Sequence, residues 1–284
     1  MPPKRVLLVF LNTGGGHRSA ALAVGEALES LHGQDVHVEL VDATAQYFSW
    51  PLNRLNTIYE RLVGVSGYPW ALTYHLTDGR RRLATLRGLW WLLTRQSILK
   101  LLRDHPADAI LCCHPLLKAP LTRAQRTSQD TRLITLVTDL ASGHTAWFYP
   151  PAGTCLVGTE QARQRALACG LSDDSVRITG LPVRPCFAQA AARSPGLTRR
   201  QLGLDPDKPV LLLLSGADGL GPFCSLVEAV TRSVAGAQVV AVTGRNDRLR
   251  NELASKSWPC PLHVKGFLAN IHEWMHAADL LVTK

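Results

Sequence analysis

A histidine directly behind three consecutive glycines, Gly14-Gly15-Gly16-His17, is the stretch of this chain best equipped for chemistry. An imidazole titrates near neutral pH, and while neutral it accepts a proton from a hydroxyl. Arg18 beside it adds a permanent cation. Three more ionisable residues stand behind apolar runs: His114 after Cys112-Cys113, Asp139 after Val137-Thr138, and His144 in the segment that follows. A carboxylate close to an imidazole orients it and steadies its charged form, so this set could serve base chemistry.

Such residues act together only if the fold brings them to one place. Residues 6–11 form an unbroken apolar run of strand length, the pattern of a parallel strand covered on both faces. Residues 19–28 are Ala-rich and apolar at helical spacing, so strand, glycine turn and helix follow one another. That unit presents backbone N–H groups and a positive helix end at the carboxyl edge of a sheet, where α/β proteins bind anions. Further strands are read at 36–42, 109–113, 132–137, 210–215 and 280–283, separated by helical stretches. The expected class is therefore α/β with doubly wound parallel sheets, and His17, His114, Asp139 and His144 all fall at the same sheet edge. Pro182 and Pro185 mark residues 180–187 as the linker between a domain at 1–188 and a second at 189–284.

Several motifs stay open on the residues alone. The glycine turn also reads as a plain packing turn with an idle surface histidine, or as a nicotinamide-binding fingerprint with Asp42 at the end of the second strand. Residues 216–221, GADGLG, resemble a phosphate cradle. His272-Glu273-Trp274-Met275-His276 is a literal HExxH, but zinc needs a third protein ligand, and the usual downstream one is absent from the eight residues to Lys284. Asp205-Pro206-Asp207 precedes its strand, at the wrong end of a sheet for a metal–diphosphate site, and reads as a turn.

Composition bounds the partners. The chain has 284 residues, 46% of them hydrophobic, and a formal charge of +9, enough for one or two domains with real cores. Its seven cysteines show no CxxC pair, the usage of a reducing compartment. No apolar run reaches the ~18–20 residues that span a bilayer. No nucleic-acid-binding signature accompanies the basic charge, and nucleic acid is not an expected partner. Residues 80–104, RRRLATLRGLWWLLTRQSILKLLRD, concentrate that charge around leucines and two tryptophans. On a helix they form either a core element with a solvated basic side or a surface lying on an anionic membrane with its tryptophans exposed. Before them, residues 43–79 carry Tyr47, Trp50, Tyr68, Trp70 and Tyr74, an aromatic excursion suited to a membrane interface.

The ordered series TGGGHRSA (13–20), HPLL (114–117), VTDL with H and WFYP (137–150), ITGLPVRPCF (178–187), LLSGADGLGP (213–222), TGRN (243–246), VKGF (264–267) and AADLLVTK (277–284) resembles one family. It is that of the processive glycolipid glycosyltransferases, the monogalactosyldiacylglycerol synthases and bacterial diacylglycerol glucosyltransferases. The resemblance implies a GT-B architecture of two Rossmann-like domains, an acceptor domain at 1–188 and a nucleotide-sugar domain at 189–284. It implies inverting transfer of a hexose from a UDP-sugar to a diacylglycerol-type lipid, with no cofactor and no metal, by a cytoplasmic protein held at the inner face of the membrane. His17 is then the base and Asp139 its partner or substitute, with Gly15, Gly16, His114, His144 and Trp147 toward the acceptor. Gly216, Asp218, Gly219, Leu220, Arg245, Asn246, Gly266, Phe267 and Lys284 fall toward the donor. The helix end beside His17 is expected to lower its pKa. In the family a glycine-rich turn and a helix with an essential Glu follow the position of Lys284. The second domain is accordingly expected to be incomplete, with UDP affinity on the order of millimolar and no transfer by the chain alone.

Overall fold

The computed structural model describes residues 2–13, 15–58, 68–125, 131–150, 153–216, 219 and 221–283, and for Pro69, Trp70, Arg80 and Arg81 only the backbone. Gly14, Asp218, Leu220 and Lys284, named above, lie outside the described residues. The chain divides into two units, Met1–Arg184 and Pro185–Lys284. A helix, Pro185–Ala191, starts at the division, so the last part of the expected linker is helical. Proline is at home there, because the first N–H of a helix has no partner to lose.

In the first unit the apolar runs become six parallel strands: β1 (Lys4–Phe10), β2 (Val36–Asp42), β3 (Ala109–Cys112), β4 (Arg132–Leu136), β5 (Thr154–Val157) and β6 (Val176–Ile178). They lie in the order β2-β1-β3-β4-β5-β6. The chain runs outward from β1 to β2 and then returns to the other side at β3. The carboxyl ends of β1 and β3 are thus a topological switch point, the place where open α/β sheets take ligands. Helix α1 (Gly15–His32) lies on one face through Ala20, Ala21, Ala23 and Gly25. A Cβ on Gly25 would meet the Leu8 side chain at 3.2 Å, so this glycine lets helix and sheet approach closely. At the end of β2 the Asp42 carboxylate accepts from the Thr44 and Ala45 amides and caps the short helix α2 (Ala43–Gln46). The acid that a nicotinamide site would turn toward ribose is thereby occupied as a helix cap.

The other face is covered by α4 (Arg80–Asp104) and α5 (Pro115–Gln125), with α3 (Tyr68–Thr77) preceding them. Ile98 and Leu101 of α4 join Leu117 and Leu121 of α5 in one core with Leu7, Val9, Ile110 and Cys112. Of the two readings of this segment, the tryptophans fit the core element. Trp90 and Trp91 pack against that core, and Trp90 Nε1 donates to the Leu116 carbonyl at 2.8 Å. An indole N–H needs a partner when buried, and the carbonyl at the start of α5 supplies it. What α4 exposes is leucine: Leu86, Leu89, Leu92 and Leu93. No helix among the described residues is long and apolar enough to cross a membrane.

The second unit holds β7 (Val210–Leu214), β8 (Gln238–Val242), β9 (Leu262–Lys265) and β10 (Leu280–Thr283), parallel and in the order β10-β7-β8-β9. Its switch point lies at the ends of β7 and β10. Asp205 accepts from the Asp207 amide at 3.0 Å and pairs with Lys208, the hydrogen bonding of a turn. In the HExxH segment, Glu273 is held by Asn270 and Arg193, and His276 Nε2 meets the Arg193 carbonyl at 2.9 Å. Both residues are engaged by their own neighbours.

Candidate active site

The switch point of the first sheet gathers what the sequence spread over more than a hundred residues. β1 delivers Thr13 and, at the start of α1, His17; β3 delivers His114; β4 delivers Thr138 and Asp139. The His17 and His114 rings meet edge to face with centroids 4.5 Å apart. His17 Nδ1 lies 3.0 Å from Thr138 Oγ1. Trp147 is fully buried, its ring centroid is 5.8 Å from that of His17, and its Nε1 donates to Asp139 Oδ2 at 2.6 Å. This revises the expectation that Trp147 touches the acceptor. A buried indole acts through the carboxylate it holds.

The histidines differ in what they are free to do. His114 Nδ1 accepts from the Leu116 amide at 3.2 Å, so its proton sits on Nε2 and is donated to Thr13 Oγ1 at 2.8 Å. Burial, reinforced by the charge His17 would carry, holds His114 well below the ordinary imidazole pKa. It is a fixed neutral donor. His144 Nδ1 accepts from the Ala146 amide at 3.1 Å, and its Nε2 reaches Thr77 Oγ1 at 3.1 Å. Burial lowers its pKa too, against the pull of Asp78. His17 is also lowered by burial, while Asp139 and the Cys113 backbone pull the other way. The direction is the one expected, but the cause is desolvation rather than the helix end. A Cβ on Gly16 would meet nothing within 4 Å. Packing therefore does not demand a glycine there, and the space beside it is room for a close approach by a ligand.

Sequence reasoning missed the clamp that holds this edge. The Asp78 carboxylate, just past α3, accepts from the Thr145 amide at 2.9 Å and from the Thr145 hydroxyl, and it pairs with Arg165 at 2.6 Å. Arg165 Nε also donates to the Gly143 carbonyl at 3.2 Å, and Tyr74 donates to the Ser142 carbonyl. The loop that carries Asp139 and Trp147 is thus tied to α3 by partners with no shared sequence pattern. A cavity of about 590 Å³ opens from this cluster. One end is polar, with Thr13, His17, Thr77, Asp139 and His144; the rest is walled mainly by Leu55, Ile58, Leu83, Leu86, Trp90 and Leu93, with Arg87 among them.

In the second unit, Gly219 is forced to be glycine. Its φ is +62°, and a Cβ would stand 2.4 Å from the Thr243 carbonyl and 2.6 Å from Asn246 Cβ. Asn246 donates to the Gly219 carbonyl at 3.0 Å and accepts from the Leu249 amide at 2.9 Å. Its side chain clamps two turns together. Arg245 stacks over the Phe267 ring at 4.6 Å, with Phe267 more than half exposed. Gly216 (φ +85°) and Gly244 (φ +60°) shape the turns on either side, and Gly266 lies against the flexible end of Arg250.

The profile of the monogalactosyldiacylglycerol (MGDG) synthases matches residues 17–183, more than half of the chain. The chain belongs to the MGDG synthase family. Within the family it is similar to monogalactosyldiacylglycerol synthase 1, chloroplastic, of Arabidopsis thaliana, 33% identical over 297 residues, covering 99% of this chain and 54% of the relative. The chloroplastic synthase of Spinacia oleracea is 32% identical over 296 residues, with 99% and 56% covered. The chain spans about half the length of the curated relatives it matches. Among solved structures, Anabaena HepE in complex with UDP-glucose aligns with a TM-score of 0.57 at 13% identity, over 98% of this chain and 73% of that one. The Staphylococcus aureus MnaA–UDP structure aligns at 0.56 and 15%, over 99% and 73%. These likenesses are of fold, GT-B-like with two parallel α/β sheets.

Proposed function

We propose that this protein transfers galactose from UDP-galactose to diacylglycerol with inversion at the anomeric carbon. In this reading the first unit receives the lipid and the second the nucleotide sugar. The observation that carries it is a histidine whose pKa is lowered by desolvation, beside a fixed carboxylate, at the polar end of a mainly apolar cavity. With its proton on Nδ1, donated to Thr138 Oγ1, His17 offers Nε2 as the base. The acceptor hydroxyl gives its proton to Nε2 as its oxygen bonds to the anomeric carbon, and the bond to the diphosphate breaks on the opposite face. Asp139, locked by Trp147, steadies the imidazolium that forms. The departing diphosphate meets Arg245 and backbone N–H groups of the glycine turns in the second unit. Family membership supports the substrates: the relatives are synthases of a galactosyl diacylglycerol.

The lipid is met at a membrane surface in this reading. The exposed leucines of α4, interleaved with Arg82 and Arg95, suit insertion just below anionic head groups. The test is the full gene product incubated with UDP-galactose and vesicles containing diacylglycerol. The expected product is a β-galactosyl diacylglycerol, identified by NMR of the anomeric proton. An α-linked product overturns inversion. Transfer only to a water-soluble acceptor overturns the lipid assignment.

A further inference from the structure

The volume of the cavity, taken with the chemistry of its two ends, restricts what enters. At about 590 Å³ it lies within the ordinary range of small-molecule sites. A dry apolar cavity of ~150 Å³ takes one benzene, which is about 25 Å³ per non-hydrogen atom. On that scale the space beside His17 accepts about 24 such atoms. A glycerol carrying one chain of about sixteen carbons has roughly 23, and a second chain raises the total to roughly 40. One chain fills the space; two exceed it.

We propose that the cavity takes the glycerol and a single acyl chain of the acceptor, leaving the second chain outside on the leucines of α4. This rests on the acceptor reading above. The free hydroxyl is directed to the polar end, where Thr13, Thr77, His17 and His144 lie. The exit for the other chain is visible in the lining itself. Leu86, Leu89 and Leu93 border the cavity and are 43%, 57% and 54% exposed, with Leu92 beyond them at 72%. That rim gives a chain a way out along the leucines, past Arg87, and it continues into the surface expected to face a bilayer. Burying the second chain would require a second apolar lobe.

The experiment is a binding series on the chain in detergent-free buffer with lipids below their aggregation limits. It uses monoacylglycerols of increasing chain length, a short-chain diacylglycerol and the matching long-chain alcohols, read by displacement of a fluorescent fatty probe. Monoacylglycerol affinity is expected to climb with length and level off near sixteen carbons, at one lipid per protein. The diacylglycerol should bind within about threefold of the monoacylglycerol matching its longer chain. Ala119, small and on the cavity wall, offers the length test: Ala119→Phe should bring the plateau several carbons earlier. Leu93→Trp, at the exposed rim, makes the same test if the first variant does not fold. Diacylglycerol binding a hundredfold tighter than any monoacylglycerol would place both chains inside and overturn the inference while leaving the acceptor reading intact. Alcohols binding with the same plateau while neither glycerolipid binds would keep the one-chain cavity and overturn the acceptor reading. No binding by any of them overturns both.

Discussion

At the carboxyl edge of the first sheet the candidate groups are buried or half-buried side chains in contact with one another; at the edge of the second they are glycine turns and an exposed cation–π pair. His17, His114, Asp139 and Trp147 form a connected set inside the first unit. Gly219, Gly244, Arg245 and Phe267 form an open one in the second. Under the function proposed above, the difference follows from what each edge would do. Proton abstraction needs a base of set pKa and fixed direction, which burial and hydrogen bonding provide. Holding a diphosphate and a flat base needs backbone N–H groups within reach and one exposed face, which glycine and an Arg–Phe stack provide.

That contrast makes distinct predictions for the two edges. The largest effect belongs to the first: in the full gene product, His17→Ala should lower kcat by ~10²–10⁴ with little change in donor affinity. Near-normal kcat in steady-state assays would remove His17 from the base role. At the second edge the proposed donor contacts come from the backbone, so a single added methyl should be felt. Gly219→Ala, facing a carbonyl at 2.4 Å with positive φ, is expected to cost more than about 1 kcal/mol. It should also weaken UDP binding about tenfold in calorimetry, and unchanged binding would show that this turn does not shape the nucleotide site.

Burial of the first site also has a pH signature. His17, His114 and His144 have folded-state pKa values below the ordinary 6.5, so the folded protein binds fewer protons than the unfolded chain. Stability is therefore full above pH 6.5 and falls as the pH drops below it, by at most about 1.4 kcal/mol per pH unit for each histidine. Urea unfolding at pH 7.5 and 5.5 should show the loss, and His114→Asn should reduce it. An equal loss in the variant would assign the pH dependence elsewhere. The smallest effect concerns the membrane face: Arg95→Gln should weaken binding to anionic vesicles by about 1 kcal/mol at low salt, and less at high salt. Flotation unchanged by the substitution would leave the leucines as the whole of the contact.

Much of the architecture was legible in the sequence, because its signals are local. Apolar runs without alternation announced parallel strands, and the glycines and prolines between them announced turns. His17, His114, Asp139 and His144 could be placed at one sheet edge from strand order alone, since each follows the end of a strand. Other features depended on partners far away in the chain. Whether Trp90 and Trp91 face lipid or core is decided by α5, which presents the Leu116 carbonyl to Trp90. Trp147 and Asn246, both read as ligand contacts, turn out to hold Asp139 and Gly219 because the chain folds those groups against them. The Asp78–Arg165 pair spans 87 positions and has no motif to announce it. Type, spacing and strand order are properties of neighbouring residues, so the sequence by itself determined the elements and the edge where chemistry gathers. Burial, the partners of each histidine and the volume of the cavity arise from groups that meet only when the sheet assembles, and these the tertiary structure alone decided.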